Sequence, residues 1–288
     1  MSEQGTQITA ALIKELRDRT GVGMTKCKDA LEEAKGNLDL AIDILRKAGM
    51  ASAVKKQGRE TKEGMIVFKE TNNAVAICEI NAETDFVVKN EKFQEFCKNV
   101  ANEIATTKPA SVEAFLAQHS STDKAHTMEE LRALLVQLIG ENIQIRRLQV
   151  FEKKPNHSYG IYSHMGGKIL TCIELSGEGE DLLAKDIAMH LAAGVPVVAE
   201  YISPESVPQE LIAKEREIAE SQLQGKPANI MGKILDGKVN AFFDQICLIR
   251  QKFIKDDSMT IDALLKKRAQ DSGKKLEIVR FLRWVVGQ

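Results

Sequence analysis

Charge of one sign is what this sequence most lacks: 40 basic residues face 41 acidic ones over 288 residues. With no net field to gather polyanions, a general role on DNA or RNA is a poor first expectation. Paired cysteines are missing as well. Cys27, Cys78, Cys97, Cys172 and Cys247 are odd in number, scattered and free of any C-x-x-C pair. That pattern fits reduced thiols better than a disulfide framework or a zinc site. No apolar run approaches the length of a membrane span. The first residues, Met1 to Thr6, carry neither the basic patch nor the apolar stretch of a signal peptide. The expectation is a soluble, cytoplasmic protein with no membrane contact.

Catalytic constellations are absent too. The histidines (His119, His126, His157, His164, His190) form no H-E-x-x-H motif and no i, i+4 pair, and no G-x-S-x-G occurs. Gly232 to Lys238 does satisfy G-x-x-x-x-G-K, the start of a phosphate-binding loop. The next residue is Val239, which has no hydroxyl for Mg²⁺; no strand precedes the run, and its apolar spacing is helical. Neither an enzyme nor a metal or cofactor site is expected.

What is present reads as an ordinary globular chain, 43% apolar and 28% charged, long enough for two domains or one with appendages. Residues 8–49 predict three short helices. Thr9 is an N-cap flanked by the staple pair Ile8 and Ile13; Leu12, Ile13 and Leu16 share a face, and Gly21 stops the helix. Thr25 can cap a second helix, ending at Gly36. Asn37 can cap a third, with Leu38, Ala41, Ile42 and Leu45 on one face and Gly49 closing it. So short a stretch buries only a small core, which predicts a three-helix module at 1–50 tethered to something larger. Its glycine-rich turn is expected to present Val22 and Met24 outward. An exposed Met suits an adaptable surface, though such a Met is as often core filler. Residues 51–64, with Lys55, Lys56, Arg59 and Lys62, lack an apolar stripe and read as a basic linker or solvated helix end.

A hairpin is predicted next, from Met65–Phe68 and Ala74–Ile80 around Thr71-Asn72-Asn73. Its second strand runs into Thr84-Asp85-Phe86-Val87. On the residues alone this corner is an N-cap followed by two core residues. Phe93, Phe96, Cys97, Val100 and Ile104 mark one face of the helix beyond; Met128 to Ile139 predicts another helix, and 143–151 a long strand. From Tyr159 the plan recurs: strand, turn at Met165-Gly166-Gly167, strand 168–175, turn 177–179, helix 182–193. A further strand is expected over 197–202, with Pro196 at its start. Two hairpin-plus-helix units predict an α+β core of two related halves with antiparallel sheets, 65–142 and 143–288. Residues 208–243 are helical on both sides of Gly225-Lys226-Pro227, which predicts a protruding helical hairpin, a coiled-coil arm over about 205–245. A helix over 260–270 and a strand from Ile278 to Val285 close the chain.

Two long stretches, Leu16 to Leu31 and Glu79 to Lys89, resemble the signatures of the translation elongation factor Ts family, guanine-nucleotide exchange factors for elongation factor Tu. Ile139-Gly140-Glu141-Asn142-Ile143, Tyr162-Ser163-His164, Ala188-Met189-His190, and Gly225-Lys226-Pro227 with Gly237-Lys238 are similar to the family's wording. The resemblance covers about residues 8–245. Thr25 stands where a second Met is common, and the Gly-Glu-Gly turn often found near the end is missing.

The resemblance implies a ubiquitin-associated-like first module and a role without covalent chemistry. It implies elongation factor Tu as partner, GDP-bound and nucleotide-free, and no direct nucleic acid. A homodimer, or a heterotetramer with the partner, is left open. Thr84, Asp85, Phe86 and Val87 would intrude beside the partner's nucleotide and disturb its Mg²⁺. In that reading Phe86 is a wedge, Asp85 binds exposed polar groups and Thr84 fixes the corner. Leu16, Val22 and Met24 would anchor the partner's nucleotide domain. His164 and His190 belong to the half that would touch a distal part of the partner; on the residues alone they are packing or interface residues. A ubiquitin- or peptide-binding adaptor built on the three-helix head is the alternative, and it leaves the corner and the arm without a task.

Overall fold

The computed structural model describes residues 8–223 and 228–288. The expected break at Gly225-Lys226-Pro227 and the start of the chain, Met1 to Thr6, lie outside the described residues.

Local signals set the first helices. α1 (Ala10–Thr20) starts where the Thr9 hydroxyl accepts from the Leu12 amide at 3.2 Å, and stops at Gly21, whose φ of 68° is left-handed. α2 (Met24–Glu33) has Gly23 at its N-cap, so Thr25 lies inside the helix rather than capping it. α3 (Leu38–Lys56) starts at Asn37, whose side chain accepts from the Leu40 amide at 3.0 Å. It runs through Gly49, where the sequence pattern ended it. Gly49 is buried, and a Cβ there would stand 3.3 Å from Gln137 Oε1 and 3.5 Å from the Ala133 carbonyl oxygen. The glycine permits a close helix approach and does not act as a stop. The stretch that reads as a basic linker or solvated helix end is a helix end up to Lys56, and it is tied down. Ala53 is buried, Met50 packs on the same core, and the Gln57 and Arg59 carbonyls accept from the Asn142 side chain at 3.3 and 2.9 Å.

β1 (Glu63–Glu70), β2 (Ala74–Ala82), α4 (Asp85–Val88), α5 (Glu91–Thr107), α6 (Val112–Ala117), α7 (Met128–Ile139) and β3 (Ile143–Glu152) follow. β1, β2 and β3 form an antiparallel sheet in that order. β3, set at the start of the second half on sequence, instead pairs with β2 from Ala74↔Glu152 to Ala82↔Ile143. Every residue of β2 is buried. α5 lies on β1 and β2 while α3 packs on α7, and the core they enclose contains Phe93, Phe96, Val100, Ile104, Phe115 and Met128. This first compact unit extends up to Glu152 and takes in Val286–Gln288.

The second unit, Lys153–Val285, holds β4 (His157–His164), β5 (Ile169–Ser176), α8 (Asp181–Ala193), α9 (Gln209–Ser221), α10 (Ala228–Ile246), β6 (Lys252–Phe253), β7 (Asp256–Thr260), α11 (Ile261–Ser272) and β8 (Ile278–Val285). Its sheet runs β4-β5-β8, antiparallel, with α8 against β4 and β5. No strand forms over 197–202. Tyr201 makes one isolated bridge with Cys247, and the Glu200 and Tyr201 amides donate to the Ile246 carbonyl at 3.0 and 3.1 Å. The end of α10 has taken the donors a sheet would need. α9 and α10 pack together with Ala219 and Val239 buried, and Arg216 reaches Asp236 at 3.2 Å. Among the described residues no helix is long and apolar enough to cross a membrane.

The two sheets share one plan. In each, a buried glutamate on the middle strand faces an arginine on the later strand, Glu79↔Arg147 and Glu174↔Arg280, and the register shifts directly after that glutamate. The fold is α+β, with the repeat the sequence suggested.

Close approach at Gly160 gives a test. A Cβ there would collide with the backbone of Ala184 and Lys185 in α8, which no side-chain rotation relieves. Gly160→Ala is expected to destabilise the protein by about 1–3 kcal/mol, as overpacked sites do. Gly58→Ala, with nothing within 4 Å of its Cβ, should stay within about 0.5 kcal/mol. Urea denaturation of both variants measures the difference.

Candidate functional site

β2 is followed by two polar residues, Glu83 and Thr84, and the chain turns there. Thr84 takes extended angles (φ −128°, ψ 157°) and its Oγ1 accepts from the Val87 amide at 3.4 Å, opening the single turn of α4. Val87 points inward and is buried; Phe86 points outward and is 80% exposed. The corner is thus one core residue and one bare aromatic, where the local reading had two core residues. Asn90 then caps α5 separately, accepting from the Lys92 amide at 2.9 Å. Beside the ring, Lys89 donates to Asp85 at 2.7 Å and stands 6.0 Å from the Phe86 centroid. The hydrogen bond and charge of Asp85 raise the Lys89 ammonium above its ordinary value.

Comparison of the two units isolates this turn. In the second unit the N-cap of the helix, Glu180, follows the buried Glu174 by six residues; in the first, Asn90 follows Glu79 by eleven. The extra length carries α4. A hairpin-plus-helix unit closes without it, so Phe86 is surplus to folding.

The corner is strapped to the end of α7. Glu141 accepts from the Thr84 amide (3.0 Å) and the Thr84 hydroxyl (2.8 Å), and Glu83 accepts from the Asn142 amide at 2.6 Å. α7 stops there because Gly140 adopts φ 93° and its amide closes on Val136 O. Its last carbonyls, negative in the helix dipole, receive two lysines: Lys56 on Val136 O and Lys26 on Gln137 O, each at 3.4 Å. Burial, together with the nearby charges of Arg59 and Lys26, holds the Lys56 ammonium below its ordinary value. Lys26 comes from α2, beside the turn that carries Met24. Within that turn, a Cβ on Gly21 would sit 3.9 Å from Leu138 of α7. The Met24 turn and the Phe86 corner therefore meet the same helix end.

The other expected residues divide. Met24 is 42% exposed, as the first residue of α2. Leu16 and Val22 are not surface anchors: both are buried in the three-helix core with Cys27 and Leu31. The left-handed Gly21 folds the turn back, and the Cys27 thiol donates to the Val22 carbonyl at 3.2 Å, which draws Val22 inward. His164 is exposed at the end of β4, stacked on Tyr162 with ring centroids 5.8 Å apart. His190 is buried and offers no surface. Its Nδ1 accepts from the Ile254 amide at 3.2 Å and its Nε2 meets Gln251 Oε1 at 3.0 Å, which only a neutral ring with its proton on Nε2 satisfies. Glu83, Glu141 and Asn142 carry the corner, a role for which the local sequence holds no signal. The stretch around Gly140-Glu141-Asn142 was visible there as a family word, and nothing local ties it to Thr84.

No group of three or more metal-ligating side chains stands together among the described residues. The run from Gly232 to Lys238 lies inside α10, as its apolar spacing predicts. What the geometry presents is a contact surface: an outward aromatic on a braced turn, with an exposed Met on a neighbouring one.

Residues 83–288 match the family described as Elongation factor TS. Elongation factor Ts of Protochlamydia amoebophila is 59% identical over 282 residues, covering 98% of this chain and 99% of that one. The proteins of the same name from Chlamydia pneumoniae and Chlamydia muridarum are 48% and 46% identical over 276 residues, covering 96% of this chain and 97% of each of theirs.

Buried His190 predicts a pH effect. Burial lowers its imidazole below the ordinary value, and the Gln251 hydrogen bond offsets only part of this. The unfolded chain takes up a proton near pH 6.5 while the folded one does not. The contribution is therefore complete above that pH and declines as pH falls below it, by at most about 1.4 kcal/mol per unit. Urea midpoints at pH 7.5 and 5.5 should show a smaller difference in His190→Gln than in the parent; equal differences would contradict the assignment.

Proposed function

The chain belongs to the elongation factor Ts family, and on that premise we propose that it is a guanine-nucleotide exchange factor: it binds elongation factor Tu with GDP and speeds GDP release so that GTP can enter. It performs no covalent chemistry. The observation that carries the reading is Phe86, an aromatic left bare on a turn whose first residues are braced by Glu141 and Asn142. Large apolar side chains on a rigid, protruding turn suit insertion into a partner, where a buried aromatic supplies much of the binding energy.

The mechanism follows from what holds GDP in a GTPase. Mg²⁺ requires near-octahedral oxygen ligands, so a small displacement of the element that orders it weakens metal and nucleotide together. Phe86 acts as the wedge that makes this displacement. Thr84 sets the corner, Asp85 takes exposed polar groups of the partner, and Val87 roots the turn in the core. Met24 supports a second contact with the same nucleotide domain. His164 supports a contact from the second unit with a different domain of the partner. Leu16, Val22 and His190 serve by packing the frames that hold these residues. The wedge lowers nucleotide affinity only if it binds the nucleotide-free partner better than the GDP form.

That condition makes the coupling mutual: whatever factor this protein takes from GDP affinity, GDP takes from its own. Calorimetric titrations of elongation factor Tu with and without saturating GDP should give different affinities. Equal ones rule out exchange.

Phe86→Ala separates wedge from core. With the ring exposed, stability should fall by less than about 1 kcal/mol. GDP release at saturating protein should fall at least tenfold, about the loss of a buried aromatic anchor. Urea denaturation and release of a fluorescent GDP analogue read the two effects, and a stable variant with normal release would sink the role given to Phe86.

A further inference from the structure

We propose that Glu141 is a positioning residue for nucleotide exchange: by clamping Thr84 it holds the Phe86 turn in the direction from which the ring acts on the partner. The inference rests on the exchange reading above and adds a residue to it.

A four-residue helix does not maintain itself, because the first turn fixes several dihedrals for a single hydrogen bond. α4 is rooted by Val87 and the half-buried Val88, and the Gln94 side chain donates to the Val88 carbonyl at 3.2 Å, while the side chains of Asp85, Phe86 and the following Lys89 lie on the outside. Those contacts hold the far end of the turn; the direction in which it leaves the strand is set at the residue that opens it. Thr84 supplies it, since its amide and hydroxyl both donate to the one carboxylate of Glu141, at 3.0 and 2.8 Å. Two donors on one ionised acceptor make a strong, geometrically specific pair. A reciprocal strap, the Asn142 amide on Glu83, prevents the two segments from sliding past each other.

The placement of Glu141 is unfavourable for its own helix. It follows the left-handed Gly140 at the C-terminal end of α7, where the helix dipole is negative and a carboxylate is repelled. Lys26 and Lys56 on the adjoining carbonyls offset that repulsion. A carboxylate kept at the wrong end of a helix, with two cations to tolerate it, serves what it binds rather than the helix. It binds the corner.

The test measures GDP release from elongation factor Tu against concentration of the full-length protein, for the parent, Glu141→Ala, Glu141→Gln, Thr84→Val, Phe86→Ala, and the Glu141→Ala/Thr84→Val double variant. A clamp predicts that Glu141→Ala lowers the maximal release rate about tenfold, the scale of a lost hydrogen-bonded pair to a charged group. The half-saturating concentration should move less, and the urea midpoint little. Glu141→Gln, which keeps one acceptor, should fall between Ala and the parent. The double variant should lose little more than the worse single one, the signature of residues acting through one contact.

Multiplied losses in the double variant, or a full maximal rate with a raised half-saturating concentration, would overturn the proposal. The second result would make Glu141 a contact residue. If Glu141→Ala fails to fold, Glu141→Gln and Thr84→Val decide on the same readout. Normal release by Phe86→Ala defeats the exchange role of the corner itself; slow release there with normal release by Glu141→Ala and Thr84→Val defeats only the clamp.

Discussion

Each three-stranded sheet is built around a glutamate without access to water, and much else follows from the need to pair it. An ionised carboxylate buried alone would cost several kcal/mol or more, so its partners are obligatory. Glu79 receives Arg147 at 2.7 Å, the Asn81 side chain at 3.1 Å and the Gly287 amide at 2.8 Å. Glu174 receives Arg280, His157 and Tyr159. Burial pushes the Glu174 carboxyl up, and these three bonds bring it below its ordinary value. Because the arginine must reach across from the facing strand, the pair sets register: a slip of one residue would turn it to the other face. Directly beyond each glutamate the register does shift, a bulge that bends the strand end. In the first unit the strand beyond that bulge carries Glu83 and Thr84 to the end of α7.

The end of α7 then acts as a junction. Lys26 from α2, Lys56 from the last turn of α3, and Thr84 through Glu141 all converge on residues 136–142. The head, expected to be joined by a basic linker or a solvated helix end, is joined by the end of α3 and is continuous with the first sheet's packing, since α3 lies along α7 with Gly49 at the close contact. Met24 and Phe86 are therefore presented by one body, and a displacement of α7 would be felt at both. Of the basic residues in this stretch, Lys56 is held on the Val136 carbonyl and Arg59 pairs with Glu83.

Periodicity and capping made most of the elements legible: Thr9 and Asn37 sit at helix starts, and α7, α8 and β8 lie within a residue of their expected spans. The misreadings have a common cause. Gly49 reads as a stop because a glycine ending a helix and one admitting a neighbouring helix look alike in sequence; only α7, far along the chain, distinguishes them. Val22 reads as exposed because the turn that folds it inward depends on Cys27 and on packing in three dimensions. Residues 197–202 have strand composition, but the donors went to the end of α10. At the corner, the family wording marked Thr84 to Val87 as one unit, and the structure separates exposed Phe86 from buried Val87. Glu141 stayed hidden because a bond spanning that much sequence leaves no local trace.

A bare aromatic is also a hazard, and the flanking charges of α4 bear on it. An 80% exposed ring can find a second copy of itself, or the apolar segments of unfolded chains. Asp85 and Lys89 form an ion pair one turn apart, with the ammonium 6.0 Å from the ring. Any neighbour approaching Phe86 must strip water from both charges or supply polar groups for them. Such residues are gatekeepers against aggregation: they leave the ring open to a surface that answers their charges and tax its burial in one that does not.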